Sequence, residues 1–233
     1  PNPLLNKGDE ILIPIVTWPT QIWAAKMAGL KVKFVDVDPI TLNIDLQDLK
    51  NKISDKTRAL FIVHLMGNPC NMDTIQQITQ DHDLILIEDC CEALGSKWDN
   101  INVGNFGVVP SFSFFFSHHM TTMEGGLIAC SRLDIAEQMK ILRSHGWLRN
   151  VDQIGYNIVD GDLDPRYTFS NWGFNLRPTE IQASFGLHQL KKLNDFNTKR
   201  NKLAVMFFNY IDEQECLNRP IVDEKAIPSW FSL

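Results

Sequence analysis

The chain has 233 residues, of which 44% are hydrophobic and 21% are charged, so it can bury a sizeable core. Its formal net charge of −6, without a Lys/Arg-rich stretch, argues against a nucleic-acid partner. Because no apolar run reaches about 18 residues and no leader-like opening is present, we expect neither a membrane span nor a signal peptide. The five cysteines match no metal or disulfide spacing, which favours free thiols in a reducing cytoplasm.

The first half of the chain alternates between strand and helix patterns. Apolar runs rich in branched residues predict strands at residues 10–16, 32–37, 59–64 and 84–88. Amphipathic segments between them predict helices at residues 21–29, 45–53 and 73–81. Strands that are apolar on both faces and alternate with helices are typical of a parallel sheet covered by helices.

The second half is less regular. It predicts strands at residues 108–116 and 127–130, and helices at residues 133–144, 178–194 and from 197 onward. Residues 146–171 are turn-rich and polar, and a loop of this length is usually functional or bound to a partner. Both ends look cut, because the chain opens directly before a strand and residues 228–233 predict a further apolar strand.

Polar side chains fall at the ends of four of the predicted strands. They are Thr17 with Trp18, His64, Asp89 with Glu92, and Ser113 with His118 and His119. Ligands of an open parallel sheet collect at the carboxyl ends of its strands, so this pattern predicts a ligand site. Taken alone, Asp89 is explained as well by a helix N-cap as by a cofactor-binding carboxylate, and Trp18 has core packing as its alternative.

Longer motifs resemble the DegT/StrS family of pyridoxal-phosphate (PLP) dependent nucleotide-sugar aminotransferases and dehydratases. Residues 89–95 (DCCEALG) are similar to the family's strand-end D-x-x-[QEH]-[AS]-x-G segment. Further similar segments occur in the family's order at residues 8–14, 34–38, 64–67, 113–114, 124–126, 173–177 and 180–183. The resemblance implies an α/β fold of the type I aminotransferase class, with a mostly parallel, seven-stranded sheet in the large domain.

The resemblance also implies a domain organisation and an assembly. Residues 1–195 would form the PLP-binding large domain, truncated at both ends and lacking the family's upstream phosphate-binding turn. Residues 196–233 would form the linking helix and the start of the small C-terminal domain. The family works as a homodimer with active sites shared between the subunits.

The family's cofactor-binding roles map onto five positions. The resemblance places Asp89 at the ring nitrogen of PLP, Trp18 on the ring face and Glu92 at the ring hydroxyl. Because the family more often has Gln at the last of these positions, Glu92 would have to be protonated unless the ring oxygen keeps its hydrogen. Ser113 would bind the phosphate, and Asn175 would contribute from the neighbouring subunit.

Substrate residues are implied in the segment after the predicted helix at 133–144. His145 and Arg149 resemble substrate-site residues, although a surface salt bridge explains Arg149 nearly as well. One relative carries an iron–sulfur cluster, which needs several cysteine thiolates. Residues 146–172 contain no cysteine, so we expect no cluster and no other metal.

His118 occupies the position of the lysine that carries the cofactor in the family's aminotransferases. It lies five residues after Ser113 and six before Glu124, which is the family's spacing for that lysine. Imidazole has no primary amine and cannot be joined to PLP as lysine is. Its ordinary pKa lies near operating pH, which suits a general acid–base. A histidine here resembles the family's 3-dehydratases, which act on nucleotide-linked 4-keto-6-deoxyhexoses in deoxysugar and O-antigen biosynthesis.

The resemblance implies a reaction that starts from pyridoxamine phosphate (PMP), the amine form of the cofactor. PMP condenses with the C4 ketone of the sugar, His118 moves protons, and the C3 hydroxyl leaves. L-Glutamate would then regenerate PMP from PLP. Two alternatives stay open at this point: a sugar aminotransferase with an unusual amine carrier, and a catalytically silent binding paralogue.

Overall fold

The computed structural model describes residues 4–149 and 164–232. The strands in this part of the chain are β1 (Glu10–Pro14), β2 (Lys31–Val35), β3 (Thr57–Val63), β4 (Ile85–Asp89), β5 (Lys97–Trp98), β6 (Ile101–Asn102), β7 (Val109–Ser113), β8 (Gly126–Ile128) and β9 (Ala226–Ile227). The helices are α1 (Pro19–Met27), α2 (Leu46–Lys52), α3 (Met72–Asp81), α4 (Leu133–Leu142), α5 (Glu180–Leu190) and α6 (Leu193–Asp212).

Six strands form the main sheet, in the order β2-β1-β3-β4-β7-β8. Every neighbouring pair is parallel except β7 with β8. The short strands β5, β6 and β9 form a separate antiparallel sheet. The α/β, mostly parallel fold class is confirmed, and the described residues contribute six strands where the resemblance implied seven for the large domain.

Local sequence signals account for where the helices begin. Asp45 caps α2, Asn71 caps α3, and Thr179 forms a capping box with Gln182 at α5. The two helices predicted at 178–194 and from 197 onward are α5 and α6, but the break between them comes earlier than predicted, at residues 191–192. No helix within the described ranges combines the length and apolar character that a membrane crossing requires.

Both faces of the central strands are buried. On one face, Leu12, Leu60 and Met72 belong to a cluster that includes residues of α2 and α3. On the other face, Ile13 packs with Ala25 of α1. This two-sided burial is the reason that the strands lack a polar face in the sequence.

Residues 228–232 do not form the predicted strand. Their backbone groups bind other parts of the chain instead: the N–H of Ser229 donates to Ser96 Oγ at 2.8 Å, and that of Trp230 donates to Asn201 Oδ1 at 3.1 Å. Trp230 is buried against α6, where its ring meets Phe208 edge-on. Because these contacts satisfy the backbone, the segment needs no neighbouring strand.

The predicted polar loop is only partly described. Residues 150–163 of it lie outside the described residues. Beyond them, Pro165–Tyr167 form a short 3-10 helix. An isolated bridge pairs Trp147 with Phe169, so the two described ends of the loop lie together.

Candidate active site

Asp89, the last residue of β4, lies at the carboxyl edge of the main sheet and is only 7% exposed. Its Oδ1 accepts a hydrogen bond from the backbone N–H of Cys91 at 2.8 Å. Its Oδ2 accepts one from Nε2 of Gln21 in α1. The bond to Cys91 closes an Asx turn, and no helix follows, so the N-cap explanation of Asp89 does not apply.

Gln21 is a site residue that the sequence analysis missed. It is buried, and its Oε1 has no hydrogen-bond partner within the described residues. The Oγ1 of Thr17, which follows β1 at the same edge of the sheet, is also buried without such a partner. Buried polar atoms that stay unpaired destabilise a fold, so their presence at one edge fits a polar ligand there.

Glu92 lies in the turn that follows Asp89. Its Oε2 accepts a hydrogen bond from the N–H of Met66 at 2.7 Å. Burial raises the pKa of Glu92, the bond from Met66 opposes this, and the charge of Asp89 adds to the rise. The carboxyl group therefore holds its proton at higher pH than an exposed glutamate does.

Trp18 and Ser113 also lie at the carboxyl edge of the sheet. Trp18 is in the short loop after β1, and Ser113 is the last residue of β7. Trp18 directly precedes α1 and is 72% exposed, so core packing does not explain it. Ser113 ends β7, and its Oγ accepts a hydrogen bond from the N–H of Phe115 at 3.2 Å. Their assigned roles at the ring face and the phosphate stay predictions.

His118 lies in the loop between β7 and β8 and is half-buried. Its ring centroid is 4.8 Å from that of Phe231 and 6.1 Å from that of Phe115. Its Nδ1 is buried and has no hydrogen-bond partner among the described residues. Burial lowers the pKa of His118, the charge of Asp89 opposes this, and Arg200 lowers it further. The imidazole is therefore neutral near pH 7, the form that acts as a base.

His119 has a different environment from its neighbour. It is 2% exposed, and its Nε2 lies 2.9 Å from the carbonyl oxygen of Ser229, which accepts its hydrogen. Burial lowers the pKa of His119 to about 4. A neutral, buried ring bonded to the backbone ties the loop after β7 to residues 228–231, and this is a structural role.

His64, at the end of β3, is also structural. Its Nδ1 accepts the N–H of Cys70 at 3.0 Å, so Nε2 carries the hydrogen that Glu88 accepts at 3.3 Å. Cys90 lies close enough for the three side chains to resemble a metal site. However, three backbone N–H groups of residues 104–107 already bind the carboxylate of Glu88. The cluster is a satisfied buried network that fixes the turn before β7.

The remaining predicted site residues lie beyond α4. His145 and Asn175 are both exposed, and Asn175 forms an isolated bridge with Ser144. Arg149 is exposed, and its guanidinium carbon lies 5.1 Å from the centre of the Trp147 ring. Their assignments to substrate and to a second subunit stay predictions.

Comparison with known proteins gives consistent matches. The DegT/DnrJ/EryC1/StrS aminotransferase family matches residues 3–232. The chain is 40% identical over 232 residues to GDP-4-keto-6-deoxy-D-mannose 3-dehydratase of Escherichia coli O55:H7 (strain CB9615 / EPEC), an overlap that covers 98% of this chain and 59% of that protein.

Two solved structures of GDP-4-keto-6-deoxymannose-3-dehydratase are also similar. One is a histidine-to-asparagine variant with bound GDP-perosamine; it is 39% identical with a TM-score of 0.90, over 98% of this chain and 60% of that one. The other holds a trapped PLP–glutamate geminal diamine; it is 39% identical with a TM-score of 0.90, over 98% of this chain and 59% of that one.

The chain thus spans about three fifths of the length of these relatives. Within that length, the family match runs from end to end of the described fold. The mostly parallel sheet is the arrangement that the family resemblance implied. The chain belongs to the DegT/DnrJ/EryC1/StrS aminotransferase family.

Proposed function

We propose that the protein is a PLP/PMP-dependent 3-dehydratase of a nucleotide-linked 4-keto-6-deoxyhexose, in deoxysugar or O-antigen biosynthesis. The observation that carries this proposal is an imidazole, His118, where the family's aminotransferases have a cofactor-carrying lysine. The charge of Asp89 reaches this imidazole from the end of β4. The similarity to a 3-dehydratase, and to a structure with a bound GDP-sugar, supports the same reaction.

The chemistry of the carboxyl edge fits a pyridoxal-type cofactor. Among the buried polar atoms without a partner in the described part of the chain are Thr17 Oγ1, Gln21 Oε1 and His118 Nδ1. A ligand with several polar groups would satisfy them. The structure of a relative that holds PLP joined to glutamate supports PLP as that ligand and L-glutamate as the amino donor.

Four residues would hold the cofactor. Asp89 would pair with a protonated ring nitrogen, and Gln21 already holds the Asp89 carboxylate in place. Glu92, with its raised pKa, would meet the ring hydroxyl. Ser113 would bind the phosphate and Trp18 would cover the ring face, where an exposed indole offers a flat aromatic surface.

When bound, the cofactor supplies an amine that condenses with the sugar ketone and a ring that takes up an electron pair. His118 supplies the acid–base function. It takes up a proton in the first half of the reaction and returns one to the C3 hydroxyl, which leaves as water. Positioned acid–base catalysis of this kind is worth about 10²–10⁴-fold in rate.

We propose that the protein works as a homodimer. Large apolar side chains are exposed on the surface that surrounds the loop after α4, and Trp172 is 91% exposed. Leu127 and Ile128 of the edge strand β8 are also exposed. Apolar surface of this kind is usually covered by another protein. A second copy would cover it and would bring Asn175 to the neighbouring site.

The product distinguishes this function from its alternatives. The full-length protein is incubated with PMP, or with PLP and L-glutamate, and with GDP-, CDP- or dTDP-linked 4-keto-6-deoxyhexoses. We expect a 3-deoxy-4-keto sugar and ammonia, formed fastest from the GDP-linked substrate because the similar dehydratase acts on a GDP-sugar. An amino sugar that keeps its C3 hydroxyl would identify an aminotransferase. Unchanged substrates in every incubation would identify a silent paralogue.

A further inference from the structure

Arg200 of α6 brings three carbonyl groups together beside His118. Its Nη1 donates to the carbonyl oxygen of Phe231 at 2.7 Å. Its Nη2 donates to the carbonyl oxygens of His118 at 3.4 Å and Ser117 at 3.5 Å. A guanidinium carries its donors in one rigid plane and can hold several acceptors at once. Arg200 therefore ties α6 to both the loop after β7 and residues 228–231.

The same contacts fix the ring that packs on the imidazole. The rings of Phe231 and His118 lie 4.8 Å apart at an angle of 40°. Phe231 is held on both sides of its backbone, because its N–H donates to the carbonyl oxygen of Met66 at 2.9 Å while its carbonyl accepts from Arg200. A phenyl ring anchored in this way limits how far the imidazole can turn.

Arg200 is also a positive charge without an ion-pair partner in the described ranges. Its guanidinium therefore disfavours a second positive charge on His118. The carboxylate of Asp89 acts in the opposite direction from β4, and His119, which is neutral near pH 7, adds no charge.

We propose that Arg200 is a positioning residue for His118: it fixes the backbone and the Phe231 ring that hold the imidazole. This inference rests on the proposed function, because it assigns a support to the residue that moves the proton. It adds to that function a residue from α6, which lies outside the family motifs found in the sequence.

Two substitutions separate the geometric and the electrostatic contributions. Arg200→Gln removes the positive charge and most of the hydrogen-bond donors. Arg200→Lys keeps the positive charge but loses the planar guanidinium group that reaches several carbonyl oxygens at once. Lys199→Gln is the matched control, because Lys199 is the exposed neighbour on the same helix. In the cofactor-loaded, full-length protein, we expect Arg200→Gln to lower kcat for sugar dehydration about 10- to 100-fold with little change in KM. Arg200→Lys should recover part of the loss, and Lys199→Gln should match the wild type.

The pH dependence of kcat distinguishes the proposed role from a general loss of stability, because a general loss of stability would not shift it. Arg200→Gln should shift the acidic limb of the kcat profile to higher pH, whereas Arg200→Lys should leave it in place. NMR titration of the histidine rings, with His118→Asn to assign the signal, should show the same upward shift without any assay of activity. If Arg200→Gln does not fold, Arg200→Lys still tests the geometric part through kcat.

An unchanged titration of His118 together with an unchanged kcat in Arg200→Gln would overturn the inference. A shifted titration in a protein that dehydrates no sugar would support the placement of Arg200 and would instead overturn the proposed function.

Discussion

Two adjacent histidines show how strongly burial decides the role of a residue in this site. His118 is half-buried beside Asp89 and has one ring nitrogen without a partner among the described residues. His119 is almost fully buried, and its Nε2 is bonded to a backbone carbonyl, while its Nδ1 also has no partner among the described residues. The spacing to Ser113 and Glu124 selects His118 as the proposed acid–base residue. The fold adds that His119 makes a structural contact, which its position in the sequence does not reveal.

The burial of His119 predicts acid sensitivity. Its pKa in the folded protein is about 4, below the value of about 6.5 expected in the unfolded chain, so the unfolded state binds the proton first. The contribution of His119 to the free energy of unfolding is fully present above about pH 6.5 and is lost as the pH falls toward 4. The His119→Gln variant should not lose this contribution, so the fall in its free energy of unfolding should be smaller than that of the wild type by up to about 3 kcal/mol.

Urea unfolding at several pH values between about 7 and 4.5 measures this difference. His82→Gln is the control, because His82 is exposed. If His119→Gln and the wild type lose stability in parallel as the pH falls, His119 does not titrate as its burial requires.

At the residue scale, the sequence identified strand-end residues and missed residues held by distant contacts. Asp89 and Ser113 could be placed at the carboxyl edge because each is the last residue of an apolar strand, β4 or β7. Gln21 binds a carboxylate 68 positions away, and Arg200 binds a carbonyl 82 positions away. A lone Gln in a helix, or an Arg among lysines, looks like part of a solvated face. No local pattern could have revealed either contact.

At the scale of elements, parallel strands made the edge of the sheet predictable. Carboxyl ends of parallel neighbours lie together, so β1, β3, β4 and β7 gather the polar residues that follow them. Residues 228–231 were wrongly predicted as a strand because Trp230 and Phe231 are apolar. Their hydrogen bonds go to side chains of distant segments instead, and periodicity carries no information about such contacts.

A substitution at Gly67 tests whether residues 228–231 pack against the turn that contains this glycine. Its φ is +91°, and an added Cβ would lie 2.0 Å from the carbonyl oxygen of Ser229. Gly8 has a similar φ of +96° with nothing within 4 Å of such an atom. Gly8→Ala should therefore cost only the backbone strain, about 1–2 kcal/mol. Gly67→Ala should cost about 1–3 kcal/mol more, because Ser229 must move.

Chemical denaturation of both variants measures this comparison. Equal losses of stability would mean that residues 228–231 do not pack against the turn at Gly67. Because the same segment holds Phe231 against His118, we also expect Gly67→Ala to lower the rate of dehydration, whereas Gly8→Ala should not.

At the scale of the whole molecule, the proposed dimer predicts complementation between two inactive variants. His118→Asn removes the acid–base residue, and Asn175→Ala removes the residue that we assign to the neighbouring site. In a mixed dimer, one site would carry both substitutions and the other neither. Random pairing of equal amounts should therefore restore about a quarter of the wild-type activity, as the two-fold symmetry of such a dimer requires.

Co-expression of the two variants with different affinity tags tests this prediction. The control is co-expression of two differently tagged His118→Asn copies, which should stay inactive. Failure of the mixed dimers to recover activity would place both residues in the same subunit's site.

The central claim is that an imidazole at position 118 carries out the proton transfers of sugar dehydration. The most direct measurement is the rate at which the full-length His118→Asn variant forms the 3-deoxy-4-keto product, with His82→Asn as the control at an exposed histidine. We predict a loss of about 10²–10⁴-fold for His118→Asn and wild-type rates for His82→Asn. A His118→Asn protein that dehydrates the sugar at the wild-type rate would contradict the account.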